Sequence, residues 1–118
     1  MVPSGVEIVL GVKNDRQFGP LIAAGLGGIM VELLDDTAVR LAPVNGPAAR
    51  AMLASLKGHA LLTGFRGRPG VDIDKLVDAI CRLSELAHDL RDVVDQIDVN
   101  PVIVSSSGAM ATDAVIVC

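Results

Sequence analysis

Asn100 and Asp113 carry side-chain oxygens and lie on either side of a turn-forming run of three serines and a glycine. If Ser106 and Ser107 close a two-residue hairpin loop, Asn100 and Asp113 are equidistant from the turn and lie directly opposite each other. A turn at Ser107 and Gly108 would make them diagonal neighbours on one face, whereas a three-residue loop would put them on opposite faces. Two oxygen ligands that leave room for water and nucleotide phosphates are typical of a Mg²⁺ site.

Asp98 adds a carboxylate to this pair, because it lies two residues before Asn100 and an extended chain places both on the same face. The flanking residues are mostly Val and Ile, and a carboxylate on such a pair of strands is costly to bury unless it is paired, solvated or bound to a metal. The alternative interpretation is that Asn100 and Pro101 form only a turn.

Several other positions could contact a ligand. Glu7 is the one charge in an apolar strand pattern, and Glu32 is isolated in the same way. Each is either a solvated residue or a carboxylate that accepts hydrogen bonds from ligand hydroxyls. The glycine-rich residues 25–28 lack GxGxxG spacing and predict either a turn that needs positive φ or a close approach of the backbone to a phosphate. Arg66 and Arg68 either steer an anionic ligand or keep their loop soluble.

Composition and charge exclude several classes of function. The chain has 118 residues and a net charge of −4, so it offers no basic face to nucleic acid. No apolar run reaches the roughly 18 residues of a transmembrane helix, and the N-terminus lacks the pattern of a signal peptide. Cys81 and Cys118 lack metal-like spacing, and no Ser-His-Asp or Cys-His constellation is visible. We therefore expect a cytoplasmic protein with no membrane or nucleic-acid partner.

Hydrophobic patterning predicts an α/β (α+β) fold in which a largely antiparallel sheet carries two main helices on one face. The helices are expected over Pro47–Leu56, beginning near Asn45, and over Ile73–His88, capped by Asp72. The strands are expected over Val6–Val12, Leu21–Ala24, Ile29–Leu34, Ala38–Ala42, Val93–Ile97, Val102–Val104 and Met110–Val117. Residues 1–118 are expected to form a single domain.

Ordered motifs along nearly the whole chain resemble the second half of an ATP-grasp domain. The subtype is that of NDP-forming acyl-CoA synthetases, the group of ADP-forming acetyl-CoA synthetase and succinyl-CoA synthetase. In chain order, the motifs are Gly5-Val6-Glu7 with Gly11, Asp15-x-x-Phe18-Gly19-Pro20, Gly25-Leu26-Gly27-Gly28-x-x-Val31-Glu32, Arg40-Leu41-Ala42-Pro43, Lys57-Gly58 with Leu61-Leu62-x-Gly64-x-Arg66-Gly67, and Asp98-Val99-Asn100-Pro101 with Asp113. Six motifs in the family's order make this resemblance specific.

The resemblance implies a role for each matched site residue. Asn100 and Asp113 match the Mg²⁺ ligands, which hold the metal against the phosphates of ATP or ADP. Asp98 matches an acidic, catalytic position close to the reacting phosphate. In the succinyl branch of the family this position is often Glu.

The resemblance also implies where the rest of the nucleotide binds. Glu7 matches the carboxylate that accepts hydrogen bonds from the ribose hydroxyls, and residues 1–3 lie where the hinge meets the adenine. Gly27 and Gly28 match a turn near the phosphates.

The implied function is that of the Mg²⁺- and ATP-binding half of an NDP-forming acyl-CoA synthetase, which converts acyl-CoA, NDP and phosphate to carboxylate, CoA and NTP. The family's phosphate-binding lysines and flexible glycine-rich loop belong to the first ATP-grasp subdomain, which we do not expect within this chain. The expected partners are therefore that N-terminal half and a CoA-binding domain. Alone, the chain is expected to bind Mg·ATP weakly, to catalyse nothing and to form a homodimer through its uncovered apolar surface.

Two alternatives keep the same fold. The subdomain could belong to a protein-lysine acetyltransferase fused to an inactive synthetase region. It could also be a non-catalytic interaction module that retained the fold and binds through the apolar surface. The oxygen pair at Asn100 and Asp113 argues for retained metal chemistry.

Overall fold

The structure, a computed structural model, describes residues 6–27, 36–64 and 70–118. Its strands are β1 (Val6–Asp15), β2 (Gly19–Leu26), β3 (Thr37–Leu41), β4 (Gln96–Ser105), β5 (Gly108–Ala111) and β6 (Ala114–Val117). Its helices are α1 (Gly46–Ala54), α2 (Ala60–Thr63) and α3 (Ile73–Asp89). No helix in these ranges is long and apolar enough to cross a membrane.

The strands form one sheet in the order β3-β2-β1-β4-β5, and every pair is antiparallel. The strand β6 pairs with β4 along the same edge as β5. The predicted antiparallel sheet is confirmed. The predicted strand Ile29–Leu34 lies outside the described residues.

Both main helices begin at the capping residues that the sequence indicates. The side chain of Asn45 accepts a hydrogen bond from the backbone N–H of Ala48 at 2.9 Å, and that of Asp72 accepts one from Lys75 N at 3.1 Å. The helix α3 lies against β1 and β2, and α1 lies against β2 and β3. The predicted placement of both helices on one face is therefore confirmed.

The core lies between the helices and one face of the sheet. Alternate residues of β1 are buried there, and α3 contributes its apolar stripe through Leu76, Val77 and Ile80. The intervening residues of β1 are on the other side of the sheet, which we call the outer face. No described element covers the outer face, so its polar residues are open to ligands.

The strand β2 departs from the predicted pattern. It continues through Gly25 to Leu26, so the predicted break at Gly25 is wrong. Gly25 pairs with Val9 on one side and with Thr37 on the other. A Cβ atom on Gly25 would lie 2.9 Å from the carbonyl oxygen of Asp36, so the glycine permits close approach of β3 and forms no turn.

Other boundaries also differ from the prediction. The two strands predicted over Val93–Ile97 and Val102–Val104 are the single strand β4, and the strand predicted over Met110–Val117 is divided into β5 and β6. The short helix α2 was not predicted. The turn that precedes it is held by Asp36, which is 3% exposed and accepts hydrogen bonds from the N–H groups of Lys57 and Gly58 at 2.6 and 2.7 Å.

Truncating a buried side chain of α3 should destabilise the fold far more than truncating a solvent-exposed side chain of the same helix. Leu76 is fully buried, so we expect Leu76→Ala to lower the free energy of unfolding by about 2–5 kcal/mol through lost contacts and a residual cavity. Leu86→Ala is the matched control on the same helix, because Leu86 is 43% exposed, and it should cost under about 1 kcal/mol. Urea unfolding followed by circular dichroism measures both, and equal losses would contradict the assigned packing.

Candidate functional site

The hairpin formed by β4 with β5 and β6 brings Asn100 and Asp113 together. One register runs through both pairings, from Ser105 opposite Gly108 to Val99 opposite Ala114. Asn100 and Asp113 therefore lie directly opposite each other, and the N–H of Asn100 donates to the carbonyl oxygen of Asp113 at 3.2 Å. This confirms the predicted hairpin register. Both residues are exposed, so their side chains are available to a ligand.

The turn fixes this register through serine hydroxyls and a glycine. The hydroxyl of the buried Ser105 is hydrogen-bonded to that of Ser107 at 2.9 Å and accepts from Ser107 N at 3.3 Å. Gly108 has a φ of 144°, a conformation that L side chains rarely adopt. A tight turn anchored in the core leaves the hairpin little freedom to slip.

A bulge in β4 turns Asn100 towards the outer face. Val99 pairs with Leu10 and Val102 pairs with Ile8, so β4 spends one more residue than β1 between the same two levels. As a result, Val99 and Val102 are both buried and Asn100 lies between them on the exposed side. The hydrophobic pattern of this segment did not predict the bulge.

The signal that could have revealed the bulge is Pro101. A proline has no N–H to donate, so within a sheet it is found on edge strands or at bulges. The strand β4 is central, because it pairs with β1 on one side and with β5 and β6 on the other. The spacing of the apolar residues Val99 and Val102 is a second sign. Residues three apart point to opposite faces of a regular strand, so burying both requires an extra residue between them.

The opposite strand is interrupted at Thr112 and Asp113. The N–H and the hydroxyl of Thr112 both donate to the carbonyl oxygen of Pro101, at 3.1 and 3.0 Å. One carboxylate oxygen of Asp113 accepts from Ala114 N at 3.0 Å, which orients the side chain. Within the described ranges the second oxygen has no hydrogen-bond donor, so it is available for a cation.

Asp98 lies on the outer face beside this pair. It is exposed, and it pairs with Gly11 of β1 and with Val115 of β6. Its carboxylate oxygen lies 3.9 Å from the position that a Cβ of Gly11 would occupy. Because Gly11 has no side chain, the surface next to the Asp98 carboxylate is open. The predicted common face of Asp98 and Asn100 is borne out by the exposure of both, with the buried Val99 between them.

Glu7 and Gly27 are in contact at another level of the same face. Gly27 N donates to the carbonyl oxygen of Glu7 at 2.7 Å, and a Cβ on Gly27 would lie 3.0 Å from the Cβ of Glu7. The glycine therefore permits the two strands to meet beside the exposed Glu7 side chain. Gly11 lies four positions after Glu7 in β1, a distance of about 13 Å along the strand.

Several predicted ligand contacts cannot be placed. Residues 1–3, Gly28, Glu32, Arg66 and Arg68 lie outside the described residues. In the part of the chain that the structure does describe, no group of three or more His, Cys, Asp or Glu side chains is arranged to hold a metal. The oxygen pair at Asn100 and Asp113 is therefore suited to a metal that brings most of its own ligands, as Mg²⁺ does with water and phosphate.

Cys81 is not activated as a nucleophile by its surroundings. Burial raises the pKa of its thiol, and the nearby carboxylates of Glu85 and Asp78 act in the same direction. The thiol is therefore protonated at neutral pH, in keeping with its position on α3 as a small, half-buried residue.

Comparison with known proteins assigns a family. The ATP-grasp domain matches residues 1–118. The beta subunit of ADP-forming acetate–CoA ligase II from Pyrococcus furiosus is 40% identical over 119 residues, which are 99% of this chain and 50% of that subunit. ADP-forming acetate–CoA ligase I from Archaeoglobus fulgidus is 41% identical over 113 residues, 96% of this chain and 16% of that enzyme. The chain thus spans about half the length of the beta subunits it matches.

Solved structures agree with this assignment. The dinucleotide-forming acetyl-coenzyme A synthetase 1 of Ca. Korarchaeum cryptofilum, in complex with coenzyme A and Mg-AMPPCP, is 39% identical. The two structures superpose with a TM-score of 0.92 over 99% of this chain and 55% of the other. A protein from Pyrococcus horikoshii matches with a TM-score of 0.90, at 40% identity over 99% of this chain and 50% of its own.

The position of residues 100 and 113 directly opposite each other can be tested by crosslinking. In a background of Cys81→Ser and Cys118→Ser, we expect Asn100→Cys/Asp113→Cys to form an intramolecular disulfide on mild oxidation. The Cα atoms of directly opposite residues lie about 5.5 Å apart, within the range that a disulfide spans. Mass spectrometry with and without reductant measures the crosslink.

The control pair for this experiment is Asn100→Cys/Ala114→Cys. Ala114 lies opposite the buried Val99, so its side chain points to the other face and should crosslink poorly. Equal crosslinking of both pairs would contradict the register.

Proposed function

Because this chain belongs to the ATP-grasp domain family, we propose that it is the Mg²⁺- and nucleotide-binding half of an NDP-forming acyl-CoA synthetase. The complete enzyme interconverts acyl-CoA, NDP and phosphate with carboxylate, CoA and NTP. The observation that carries the proposal is the oxygen pair at Asn100 and Asp113, held opposite each other on the open face of the sheet. Identity of 40% with a beta subunit over 99% of the chain supports it.

The metal site consists of the amide oxygen of Asn100 and the free carboxylate oxygen of Asp113. Water and phosphate oxygens complete the coordination, which is the usual arrangement for Mg²⁺ bound with a nucleotide. When bound, Mg²⁺ neutralises charge on the phosphates during transfer. The two strands hold both ligands in place before the nucleotide arrives, so little ordering is needed on binding.

The nucleotide extends along the outer face from Glu7 towards Asp98. The carboxylate of Glu7 accepts hydrogen bonds from the ribose hydroxyls. Gly27, which has no side chain, leaves room beside Glu7 for the sugar to approach. The length of about 13 Å between the levels of Glu7 and Gly11 is comparable to a nucleotide stretched from its ribose to its last phosphate. Asp98 accepts hydrogen bonds from water around the transferred phosphoryl group.

The second wall of the site is the N-terminal ATP-grasp half, and a CoA-binding domain delivers the acyl group. The outer face carries exposed apolar side chains that this half would cover, among them Val39, Leu41, Met110 and Val115, which are 49–63% exposed. Without that half the chain self-associates into a homodimer through the same surface. Phosphoryl transfer requires both walls, because most of the catalysis lies in positioning.

Asp113→Ala tests the metal assignment. We expect the variant to lose Mg²⁺-dependent binding of ADP and ATP by at least about tenfold, since changes to groups that only support a metal ligand already cost about 10- to 100-fold. Isothermal titration calorimetry of Mg·ADP and Mg·ATP, with and without Mg²⁺, measures the loss.

Asp89→Ala is the matched control, because Asp89 is an exposed carboxylate at the end of α3 on the helix side. It should bind as the wild type does. Equal binding by the wild type and Asp113→Ala, or binding independent of Mg²⁺, would remove the metal site.

Addition of an N-terminal ATP-grasp half tests the synthetase assignment. A mixture of this chain with a separately purified N-terminal ATP-grasp half and the CoA-binding subunit of an ADP-forming relative should make ATP from acetyl-CoA, ADP and phosphate, whereas each component alone should not. Sedimentation should show the homodimer of this chain replaced by the mixed complex. A complex that forms and stays inactive with several acyl-CoA thioesters would favour the non-catalytic interaction module.

A further inference from the structure

We propose that Lys13 contacts the terminal phosphate of a bound nucleoside triphosphate and makes this face bind the triphosphate more tightly than the diphosphate. The inference rests on the proposed function, because it takes the nucleotide to lie along the outer face with its phosphates at Asn100 and Asp113. It adds a residue that none of the sequence motifs includes.

The first observation is the order of groups along β1. Glu7, Gly11 and Lys13 share the outer face, and Gly11 and Lys13 are opposite Asp98 and Gln96 of β4. Lys13 therefore lies about 7 Å beyond the level of Asp98, on the side away from Glu7. The last phosphate of a nucleotide that ends at the level of Asp98 is within reach of Lys13, because the long, flexible lysine side chain can extend back along the face over this interval.

The second observation is a concavity at this place. It has a volume of about 310 Å³, and Asp98 and Lys13 supply the only charges among its described lining residues. Gly11, Leu21 and Ala23 form a small or apolar floor. A cation above an apolar floor attracts an anion more strongly than one surrounded by water, since the local dielectric is lower. The volume is at the lower end of the range for ligand pockets.

The third observation is that Lys13 has no ion-pair partner in the described residues. Two carboxylates flank it along the face, Asp98 before it and Asp15 after it. The carboxylate of Asp15 is occupied by the backbone, because it accepts hydrogen bonds from Gln17 N and Phe18 N at 2.8 and 3.0 Å. These N–H groups, and then the charge of Lys13, hold the pKa of the Asp15 carboxyl below its usual value.

The flexible ammonium of Lys13 is thus free to turn towards a phosphate. A lysine suits this role because it acts as a mobile point charge and can follow an oxygen without fixed geometry. A diphosphate ends near the metal pair and does not reach Lys13. The contact therefore exists only when a third phosphate is present, and this predicts discrimination between ATP and ADP.

The test is calorimetric titration of Mg·ATP and Mg·ADP into the 118-residue chain at low ionic strength. In Lys13→Gln we expect the Kd for Mg·ATP to rise about tenfold, the typical effect of losing a hydrogen bond to a charged group, while the Kd for Mg·ADP changes less than about twofold. Lys13→Arg keeps the charge and should restore most of the preference. Lys75→Gln removes an exposed lysine from α3, on the other side of the sheet, and should change neither affinity.

The outcomes separate this inference from the proposed function. Loss of Mg²⁺-dependent binding in Asp113→Ala together with an unchanged ratio of ATP to ADP affinity in Lys13→Gln would overturn the role of Lys13 alone. Equal weakening of both nucleotides in Lys13→Gln would do the same, because it would reflect a general charge effect. A wild-type chain that binds neither nucleotide in the presence of Mg²⁺, at a concentration at which sedimentation shows the monomer, would overturn both proposals.

Discussion

The candidate site depends on one constraint, the inability of Pro101 to donate a hydrogen bond within a central strand. The sheet accommodates it with a bulge, in which β4 gains one residue over β1 between the levels of Val99 and Val102. That extra residue keeps both valines in the core and leaves Asn100 on the outer face. In a strand without the bulge, Val99 and Val102 would point to opposite faces of the sheet. Such a strand would either bury Asn100 and expose Val99, or expose Val102. The buried valines and an exposed Asn100 are thus compatible only because the strand changes phase at the bulge.

Much of the arrangement follows from local chemistry that is legible in the sequence. The serine-rich turn sets the register that places Asn100 opposite Asp113, and the capping residues Asn45 and Asp72 set the starts of the two main helices. These features depend on residues close together in the chain, so spacing and residue type are sufficient to predict them. The family resemblance, which rests on ordered motifs, agrees with the relatives and with their solved structures.

The features that the sequence did not predict depend on contacts between distant segments. Gly25 was expected in a turn because glycines are common there, but it lies inside β2, where the backbone of β3 approaches too closely for a side chain. Two strands were predicted on either side of Pro101, whereas the structure has the single strand β4. A proline at a bulge cannot be distinguished in sequence from a proline at a strand end. A lone lysine in a strand is usually solvated, so residue type and spacing do not distinguish Lys13 from an ordinary surface residue. Its position beyond Asp98 became visible only from the pairing of β1 with β4.

The hairpin that carries the proposed metal ligands also differs from the rest of the site in how it can assemble. Asn100 and Asp113 are neighbours in one turn-closed unit, so bringing them together costs little loop-closure entropy. Glu7 and Lys13 meet them only when the first strand of the chain pairs with a strand near its end, a contact of high sequence separation that is slow to form. The proposed metal ligands and the proposed nucleotide contacts of β1 therefore differ in the sequence separation of the residues that must meet. A partly folded chain can bring Asn100 and Asp113 together before β1 is paired. All the proposed nucleotide contacts are in place only once β1 pairs with β4.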